Sequence, residues 1–261
     1  MNFFPKKSLG QNFLVNKEII KKIVELGKIT NESTVIEIGP GSGNLTMEIL
    51  KKKPKKVIAI EKDESLCFEL SKKFKSELEL INKDVLDIDW DYFVLNKSII
   101  FGNLPYNISA KILTNWIKLN NLNCMFDKFI LMFQKEVADR IVAEVDSNKY
   151  GRLSILTAWK MKVQKIMDIS PENFFPQPKV KSSLLYFEPK DKFYKLNNPK
   201  ILENVTNVFF QNRRKMIKKP LNILFKNQSE IIKRLDIDLN SRPQNLEPLI
   251  FFKIAKEIED N

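Results

Sequence analysis

Short apolar runs alternate with segments of helical periodicity over the first half of the chain. The apolar runs predict buried strands at residues 34–38, 56–61, 78–82, 98–103 and 128–133. Helices are predicted to begin near residue 16 and to cover residues 44–52, 64–74, 109–118 and 136–144. Strands that are continuously apolar are covered on both faces, so this alternation predicts an α/β fold with a mostly parallel sheet and helices on both faces.

The pattern changes near Pro189. Two β-rich runs before it, at residues 161–169 and 183–187, predict strands that close the edge of the sheet. After a linker-like stretch, helical patterns cover residues 201–210, 213–225, 230–235 and 246–258. We therefore predict a first domain at residues 1–190, which includes a basic N-terminal arm, and a small all-α domain at residues 195–261.

Composition supports a folded chain without a membrane segment. Hydrophobic residues make up 43% of the 261 residues and charged residues 29%, which is enough apolar material for a sizeable core. No run of about 18 apolar residues predicts a transmembrane helix. The N-terminal stretch MNFFPKKSLGQNF lacks the apolar centre of a secretory signal, so we expect a cytoplasmic protein.

Two residue counts exclude several kinds of chemistry. Histidine is absent, which excludes a Ser-His-Asp triad, an HExxH zinc site and an imidazole base. The two cysteines, Cys67 and Cys124, do not form a CxxC pair and are too few for a four-cysteine zinc site or a disulfide framework. We expect no metal, and chemistry that uses carboxylates, amides, aromatic rings, lysines or an organic cofactor.

The chain is strongly basic, with 44 Lys and Arg against 32 Asp and Glu, a net charge of +12. Taken alone, this excess fits a solvated lysine coat as well as it fits a polyanionic partner. One segment without acidic residues favours the second interpretation. It contains Arg213, Arg214, Lys215, Lys218, Lys219 and Lys226. Such a cluster is suited to neutralising phosphate groups.

Glycine is scarce, but three of the seven lie within five residues after the first predicted strand. They are Gly39, Gly41 and Gly43, in EIGPGSG. Glycines between a strand and a helix allow the chain to turn sharply and to lie against a ligand, although an ordinary tight turn is the alternative. The spacing departs from the GxGxxG of dinucleotide-binding folds, which weakens an assignment to NAD.

Acidic residues follow the next two strands. Glu61 ends the second strand, where a carboxylate can accept both hydroxyls of a ribose, and Asp84 follows the third, where it can bind an adenine amino group. Helix capping and turn formation are the alternatives for each residue alone. Three successive strand ends with these features predict an adenosine-containing cofactor across the sheet edge.

The fourth predicted strand ends in Gly102-Asn103-Leu104-Pro105-Tyr106. Asn103 can offer its side-chain oxygen, and Leu104 its main-chain carbonyl, because proline restricts the residue before it. Tyr106 can stack on a planar base, although a loop with a buried tyrosine is the alternative. Two acceptors that face one amino group would direct the nitrogen lone pair towards an electrophile.

The segments EIGPGSGNLT, IEKD, NKDVLD and GNLPYNIS resemble the S-adenosylmethionine-dependent methyltransferases that act on adenine N6. The segments KKSLGQNFL, LMFQKEVADRI, YGRLS, FFPQPKVKSSL and NRRKMIKKPL make the chain similar to the small-subunit ribosomal RNA adenine dimethyltransferases. This resemblance implies a class I methyltransferase Rossmann-like fold and methylation of two adjacent adenosines in a 3′-terminal hairpin. It also implies small-subunit rRNA, in immature 30S subunits, as the partner; we expect a monomer.

The resemblance also assigns roles to residues. Asn12 and Leu14 would fold over the cofactor, and Gly39 and Gly41 would approach it, while Glu61 would bind its ribose and Asp84 its adenine. Asn103 would contact both the cofactor and the target base. Phe174 would hold the flipped adenine against Tyr106, although a position in the core, with Phe175 outside, is the alternative.

Four other functions remain as alternatives. Macrolide-resistance methyltransferases of large-subunit RNA share the NxPY core but usually lack the QKEVA and NRRK segments. A non-catalytic ribosome-assembly factor could keep the same fold. A DNA adenine methyltransferase would carry proline in place of Leu104, and an NAD-dependent oxidoreductase would need a Tyr-x-x-x-Lys motif near the pocket.

Overall fold

A computed structural model describes residues 10–90, 96–225 and 228–260 of the chain. They form two compact units: the described parts of Met1–Ala138 with Val163–Pro189, and those of Asp139–Lys162 with Lys190–Asn261. The change of unit at Pro189 lies where the sequence predicts a domain boundary. The second unit also takes in Asp139–Lys162, which the predicted boundaries assign to the first domain.

The sheet contains seven strands in the order β4-β3-β2-β5-β6-β9-β7, and β1 and β8 form a separate two-stranded ribbon. The strands are β1 Phe13–Leu14, β2 Thr34–Ile38, β3 Lys56–Glu61, β4 Glu79–Asn82, β5 Ser98–Asn103, β6 Phe126–Gln134, β7 Met161–Ile169, β8 Phe174–Phe175 and β9 Ser182–Pro189. Strands β2 to β6 are parallel, and β9 is antiparallel to β6. The predicted mostly parallel sheet is confirmed.

Eleven helices accompany these strands in the described residues. They are α1 Lys17–Leu26, α2 Asn44–Leu50, α3 Glu64–Phe74, α4 Ser109–Ile117, α5 Leu122–Met125, α6 Lys135–Ile141, α7 Arg152–Lys160, α8 Pro199–Phe210, α9 Lys218–Leu224, α10 Gln228–Leu235 and α11 Pro248–Asp260. Every described element after Pro189 is helical, as predicted. Within the described ranges, no helix combines the length and the apolarity that a membrane span requires.

The central strands are buried because their sequences are apolar at nearly every position. Four of the five residues of β2 and five of the six of β5 are buried. Parallel strands covered by helices on both faces require such runs, and their carboxyl ends then meet at one edge of the sheet. This edge therefore gathers the chain segments that follow β2, β3, β4 and β5.

Several elements differ from the sequence prediction. Helices α5 and α7 are absent from the prediction, and β1 and β8 are too short to give a period-2 signal. Helix α9 begins at Lys218 instead of residue 213. Pro220 explains this start, because proline lacks an N–H and is tolerated in the first turn of a helix but not in its interior.

Candidate active site

A cavity of about 190 Å³ lies at the carboxyl edge of the parallel sheet. Its walls come from the segments that follow β2, β3, β4 and β5, and from the chain that precedes α1. The lining residues are Gly10, Gln11, Asn12, Phe13, Ile38, Gly39, Gly41, Ile60, Glu61, Lys62, Lys83, Asp84, Val85, Asn103, Leu104, Pro105, Tyr106, Asn107 and Ile108. Most of the residues selected from the sequence therefore meet in one place.

The glycine loop between β2 and α2 has a backbone that favours glycine. Gly39, Gly41 and Gly43 have φ of +66°, +56° and +74°, in the left-handed region. A Cβ atom at Gly41 would lie 2.5 Å from the ring of Phe13. At Gly39 a Cβ would meet no heavy atom within 4 Å, so this position opens into the cavity. A ligand can therefore approach the main chain at Gly39.

The Glu61 carboxylate connects the end of β3 to this loop. One oxygen accepts a hydrogen bond from the Gly41 N–H at 3.3 Å, and the other accepts one from the Asp63 N–H at 2.9 Å. Burial raises the pKa of the carboxyl, and these two donors act against the rise. Because Glu61 is only 7% exposed and borders the cavity, a ligand that brings hydroxyl donors would stabilise its charged form.

Asp84 borders the same cavity and begins a short 3-10 turn. Its Oδ1 accepts from the Leu86 N–H at 2.9 Å, and its Oδ2 accepts from Lys62 Nζ at 2.8 Å. Burial alone would raise the pKa of the carboxyl, but these contacts outweigh burial and lower it. Asp84 therefore forms the turn that was the alternative for this residue, and the predicted contact with an adenine amino group stays a prediction.

Asn103 has a fixed carboxamide orientation at the tip of β5. Its Nδ2 donates a hydrogen bond to the main-chain oxygen of Asn12 at 2.5 Å. A carbonyl oxygen only accepts hydrogen bonds, so the atom that faces Asn12 must be the nitrogen. The Oδ1 atom therefore lies on the other side of the carboxamide. Leu104 follows Asn103 and also borders the cavity, although it is only 1% exposed.

The ring of Tyr106 is held by its hydroxyl group. That hydroxyl forms a 2.6 Å hydrogen bond with Ser182 Oγ at the start of β9. Burial raises the pKa of the Tyr106 hydroxyl, so the group stays neutral at physiological pH. The bond fixes the far end of a ring whose residue borders the cavity. A planar ligand would therefore meet an already ordered aromatic side chain.

The chain before α1 is attached to the site at several points. Gln11 Nε2 donates to Asp63 Oδ2 at 3.0 Å, and Asn44 Nδ2 donates to the Leu14 main-chain oxygen at 3.0 Å. Asn12 borders the cavity, and its predicted contact with the cofactor stays a prediction. The side chain of Leu14 belongs to the buried core instead and is 6% exposed. The rest of the predicted N-terminal arm, residues 1–9, lies outside the described residues.

The structure does not bring Phe174 to the cavity. Phe174 is 3% exposed and packs in the core, whereas Phe175 is 59% exposed. The reason is the pairing of β1 with β8, which sets Phe174 opposite the inward-facing Leu14. This placement corrects the sequence expectation: Phe174 would have to leave the core to flank a base beside Tyr106.

Several cavity residues were not selected from the sequence. Lys62 and Lys83 each follow the last residue of a strand. Because the carboxyl ends of parallel strands meet at one edge of the sheet, both residues could have been identified from the sequence. Gln11 and Phe13 belong to a segment without periodicity, and only the tertiary structure brings them to the sheet edge. Among the described residues, no group of three or more His, Cys, Asp or Glu side chains is arranged to hold a metal ion.

Glu37, on β2, is a buried acid close to the cavity. Burial raises its pKa to about 7, and the nearby Glu61 adds to the rise. Thr46 Oγ1 donates to its Oε2 at 2.6 Å, and the bond and the positive charge of Lys73 both oppose the rise. Glu37 borders a second cavity of about 30 Å³, together with Gly39 and Asn103.

We expect the ligand-free protein to lose stability as Glu37 ionises. The folded protein holds this proton more tightly than the unfolded chain, whose glutamates have a pKa near 4.5. The free energy of unfolding should therefore fall as pH rises from about 4.5 to about 7, by roughly 3 kcal/mol from this group. Glu37→Gln should remove that fall in urea unfolding measured from pH 4 to 8. Glu32→Gln, at an exposed position, is the control. If the free energy of unfolding changed with pH in the same way in Glu37→Gln and in the unmodified protein, the expectation would be contradicted.

Comparisons with known proteins identify the family of this chain. Residues 2–260 match the family model described as ribosomal RNA adenine dimethylase. The chain belongs to this family. A relative from Pelagibacter ubique, "Ribosomal RNA small subunit methyltransferase A", is 55% identical over 98% of this chain and 97% of its own length. A protein of the same name from Ehrlichia ruminantium is 43% identical over 96% of each chain.

Solved structures show the same fold. A dimethyladenosine transferase from Plasmodium falciparum has a TM-score of 0.80 and 29% identity, over 95% of this chain and 98% of the other. The 23S rRNA methyltransferase ErmE has a TM-score of 0.69 and 19% identity, over 95% and 100% of the two chains, which shows a shared fold. The predicted class I methyltransferase fold is confirmed. Membership in this family excludes the NAD-dependent oxidoreductase among the alternatives.

Proposed function

We propose that this protein dimethylates N6 of two adjacent adenosines in a 3′-terminal hairpin of small-subunit ribosomal RNA, with S-adenosylmethionine as the methyl donor. The fixed carboxamide of Asn103 carries the proposal. This carboxamide lies at the tip of β5 and lines the same cavity as the glycine loop, and its nitrogen donates a hydrogen bond to the Asn12 main-chain oxygen. The remaining oxygen is an acceptor suited to an amino group.

The residues around the cavity fit an adenosine-containing donor. Gly39 offers an open stretch of main chain, and Glu61 offers a buried carboxylate for ribose hydroxyls. Asp84 and its neighbouring main chain lie next along the sheet edge, where adenine would follow ribose. Bound S-adenosylmethionine supplies a methyl group on a positively charged sulfur, which an amine can attack directly.

The protein contributes position and electrostatics. Asn103 Oδ1 and the Leu104 main-chain oxygen would accept the two N6 hydrogens and so hold the nitrogen lone pair towards the methyl group. Tyr106 would stack on the base after it leaves its own stack. The amine becomes cationic on transfer and loses its proton to water, so a chain without histidine can support the reaction.

The second unit contains the basic cluster that is predicted to contact RNA phosphates, but one of its members, Arg213, has other partners. Arg213 is occupied within this unit: Nη1 donates to the Asn148 main-chain oxygen at 2.9 Å and Nη2 to Gln244 Oε1 at 3.1 Å. The exposed members of the cluster are Arg214, Lys215, Lys218 and Lys219. Lys226 lies outside the described residues. We assign phosphate contacts to the four exposed cations and a tethering role to Arg213.

We expect the fourfold alanine variant of these exposed cations to bind RNA with weaker salt dependence. Each released counterion contributes to the slope, so the slope of log K against log salt should become shallower by about 3. Fluorescence anisotropy of a labelled RNA hairpin between 50 and 300 mM KCl measures it. A variant with four alanines among the lysines of residues 51–56 is the control. An unchanged slope in the first variant would contradict the assignment.

A methyl-transfer assay tests the proposed function. The protein is incubated with labelled S-adenosylmethionine and either immature 30S particles or protein-free large-subunit RNA. We expect label in the 30S particles only, and transfer to the large-subunit RNA instead would indicate a resistance-type enzyme. No transfer by folded protein would favour a non-catalytic assembly factor. A monomer in the cytoplasm, where ribosomal subunits assemble, is the form in which we propose that it acts.

A further inference from the structure

The ribbon of β1 and β8 has one buried face and one exposed face. Phe13 pairs with Phe175, and Leu14 pairs with Phe174. Directly paired residues of an antiparallel ribbon share a face, and successive residues alternate between faces. Leu14 and Phe174, at 6% and 3% exposure, are the inward pair. Phe13 and Phe175 therefore share the opposite face.

The outward face is apolar even though it meets solvent. Phe175 is 59% exposed and Val15 is 44% exposed. The Val15 N–H donates to the Asn173 main-chain oxygen at 2.9 Å, which extends the pairing by one residue. Val15 therefore lies on the Phe13 side of the ribbon. Single exposed apolar residues are ordinary, but here Phe13, Val15 and Phe175 follow one another on one face.

This apolar face continues from the wall of the cavity. Phe13 lines the cavity and packs its ring against Gly41 of the glycine loop. Phe175 lies directly across the ribbon from it. A polynucleotide that places one nucleotide in the cavity can therefore bring the next nucleotide over Phe175.

Two lysines follow Phe175 closely in the sequence. Lys179 and Lys181 follow within six residues and are exposed. In the part of the chain that the structure describes, neither lysine forms a salt bridge with an acidic side chain. A segment with an exposed aromatic ring and exposed lysines can bind unpaired nucleotides, through stacking and phosphate contacts.

We propose that Phe175, with Val15, forms a stacking surface for an unpaired nucleobase of the substrate RNA next to the nucleotide held in the cavity. The inference rests on the proposed function for the identity of the RNA. It adds a substrate contact outside the cavity. The surface prefers no particular base, because every base offers an aromatic face.

Three variants test the surface. Phe175→Ser removes the ring, Phe175→Tyr restores an aromatic ring, and Phe68→Ser removes a ring of equal 59% exposure on α3. The measurements are KM and kcat for immature 30S particles, the Kd for S-adenosylmethionine, and the Kd for a fluorescein-labelled RNA hairpin with an adenosine-containing loop. Loss of one base stack should raise KM and the RNA Kd about tenfold.

We expect KM and the RNA Kd to rise in Phe175→Ser only. Phe175→Tyr should have nearly the values of the unmodified protein, and the Kd for S-adenosylmethionine should be unchanged in all three variants. Equal RNA affinity in Phe175→Ser and Phe68→Ser would overturn the proposal, as would a loss confined to the binding of S-adenosylmethionine. The RNA Kd does not depend on turnover. Weaker RNA binding by Phe175→Ser, with no methyl transfer by the unmodified protein, would support the surface and contradict the proposed reaction.

Discussion

Asn103→Ala is expected to lower kcat by about 100- to 1,000-fold, the usual cost of removing one preorganised polar contact to a reacting group. Alanine removes Oδ1, the proposed acceptor for the adenine amine. It also removes the bond from Nδ2 to Asn12. Single-turnover methyl transfer to 30S particles measures the effect, and calorimetry with S-adenosylmethionine shows whether the donor still binds.

Asn103→Asp separates the two roles of this side chain. Aspartate keeps an acceptor oxygen but turns a second oxygen towards the Asn12 main-chain oxygen, which would repel it. We therefore expect Asn103→Asp to lose most of the activity as well, whereas the exposed Asn31→Ala should lose none. Full activity of Asn103→Asp would show that the contact with Asn12 does not set the orientation of the carboxamide.

Phe174→Ala is expected to destabilise the protein by about 3–5 kcal/mol, as for other buried phenylalanines. Phe174 is 3% exposed in the main core, so its loss leaves a cavity. The urea midpoint should fall strongly, whereas Phe175→Ser should move it little because Phe175 is 59% exposed.

A different result would support the original prediction that Phe174 holds the flipped adenine against Tyr106. If Phe174→Ala left the urea midpoint unchanged and raised KM for 30S particles, the ring would have to leave the core and flank the target base. Phe174→Leu is the matched variant, because it fills most of the volume without an aromatic face. It should retain most of the stability.

Much of the fold was predictable because the parallel strands are buried on both faces. The runs that form β2 and β5 are apolar at almost every position, so their burial could be read directly. The glycine loop, Glu61 and Asp84 follow such strands, and the sheet topology alone brings them to one edge. Local sequence was sufficient for these features.

Features that depend on tertiary contacts were not predictable. Two adjacent aromatic residues, Phe174 and Phe175, give no periodicity, and only pairing with β1 decides which one is buried. The tether from Arg213 to Asn148 and Gln244 joins positions far apart in sequence. The orientation of the Asn103 carboxamide likewise depends on a residue 91 positions away.

Nucleoside mass spectrometry of 30S RNA, after reaction with the protein and S-adenosylmethionine, shows whether the tip of β5 presents an adenine N6 amine to the methyl donor. We predict N6,N6-dimethyladenosine at two adjacent positions, formed by the unmodified protein and absent with Asn103→Ala. Methylation of a different atom or base, or equal dimethylation by Asn103→Ala, would contradict the account.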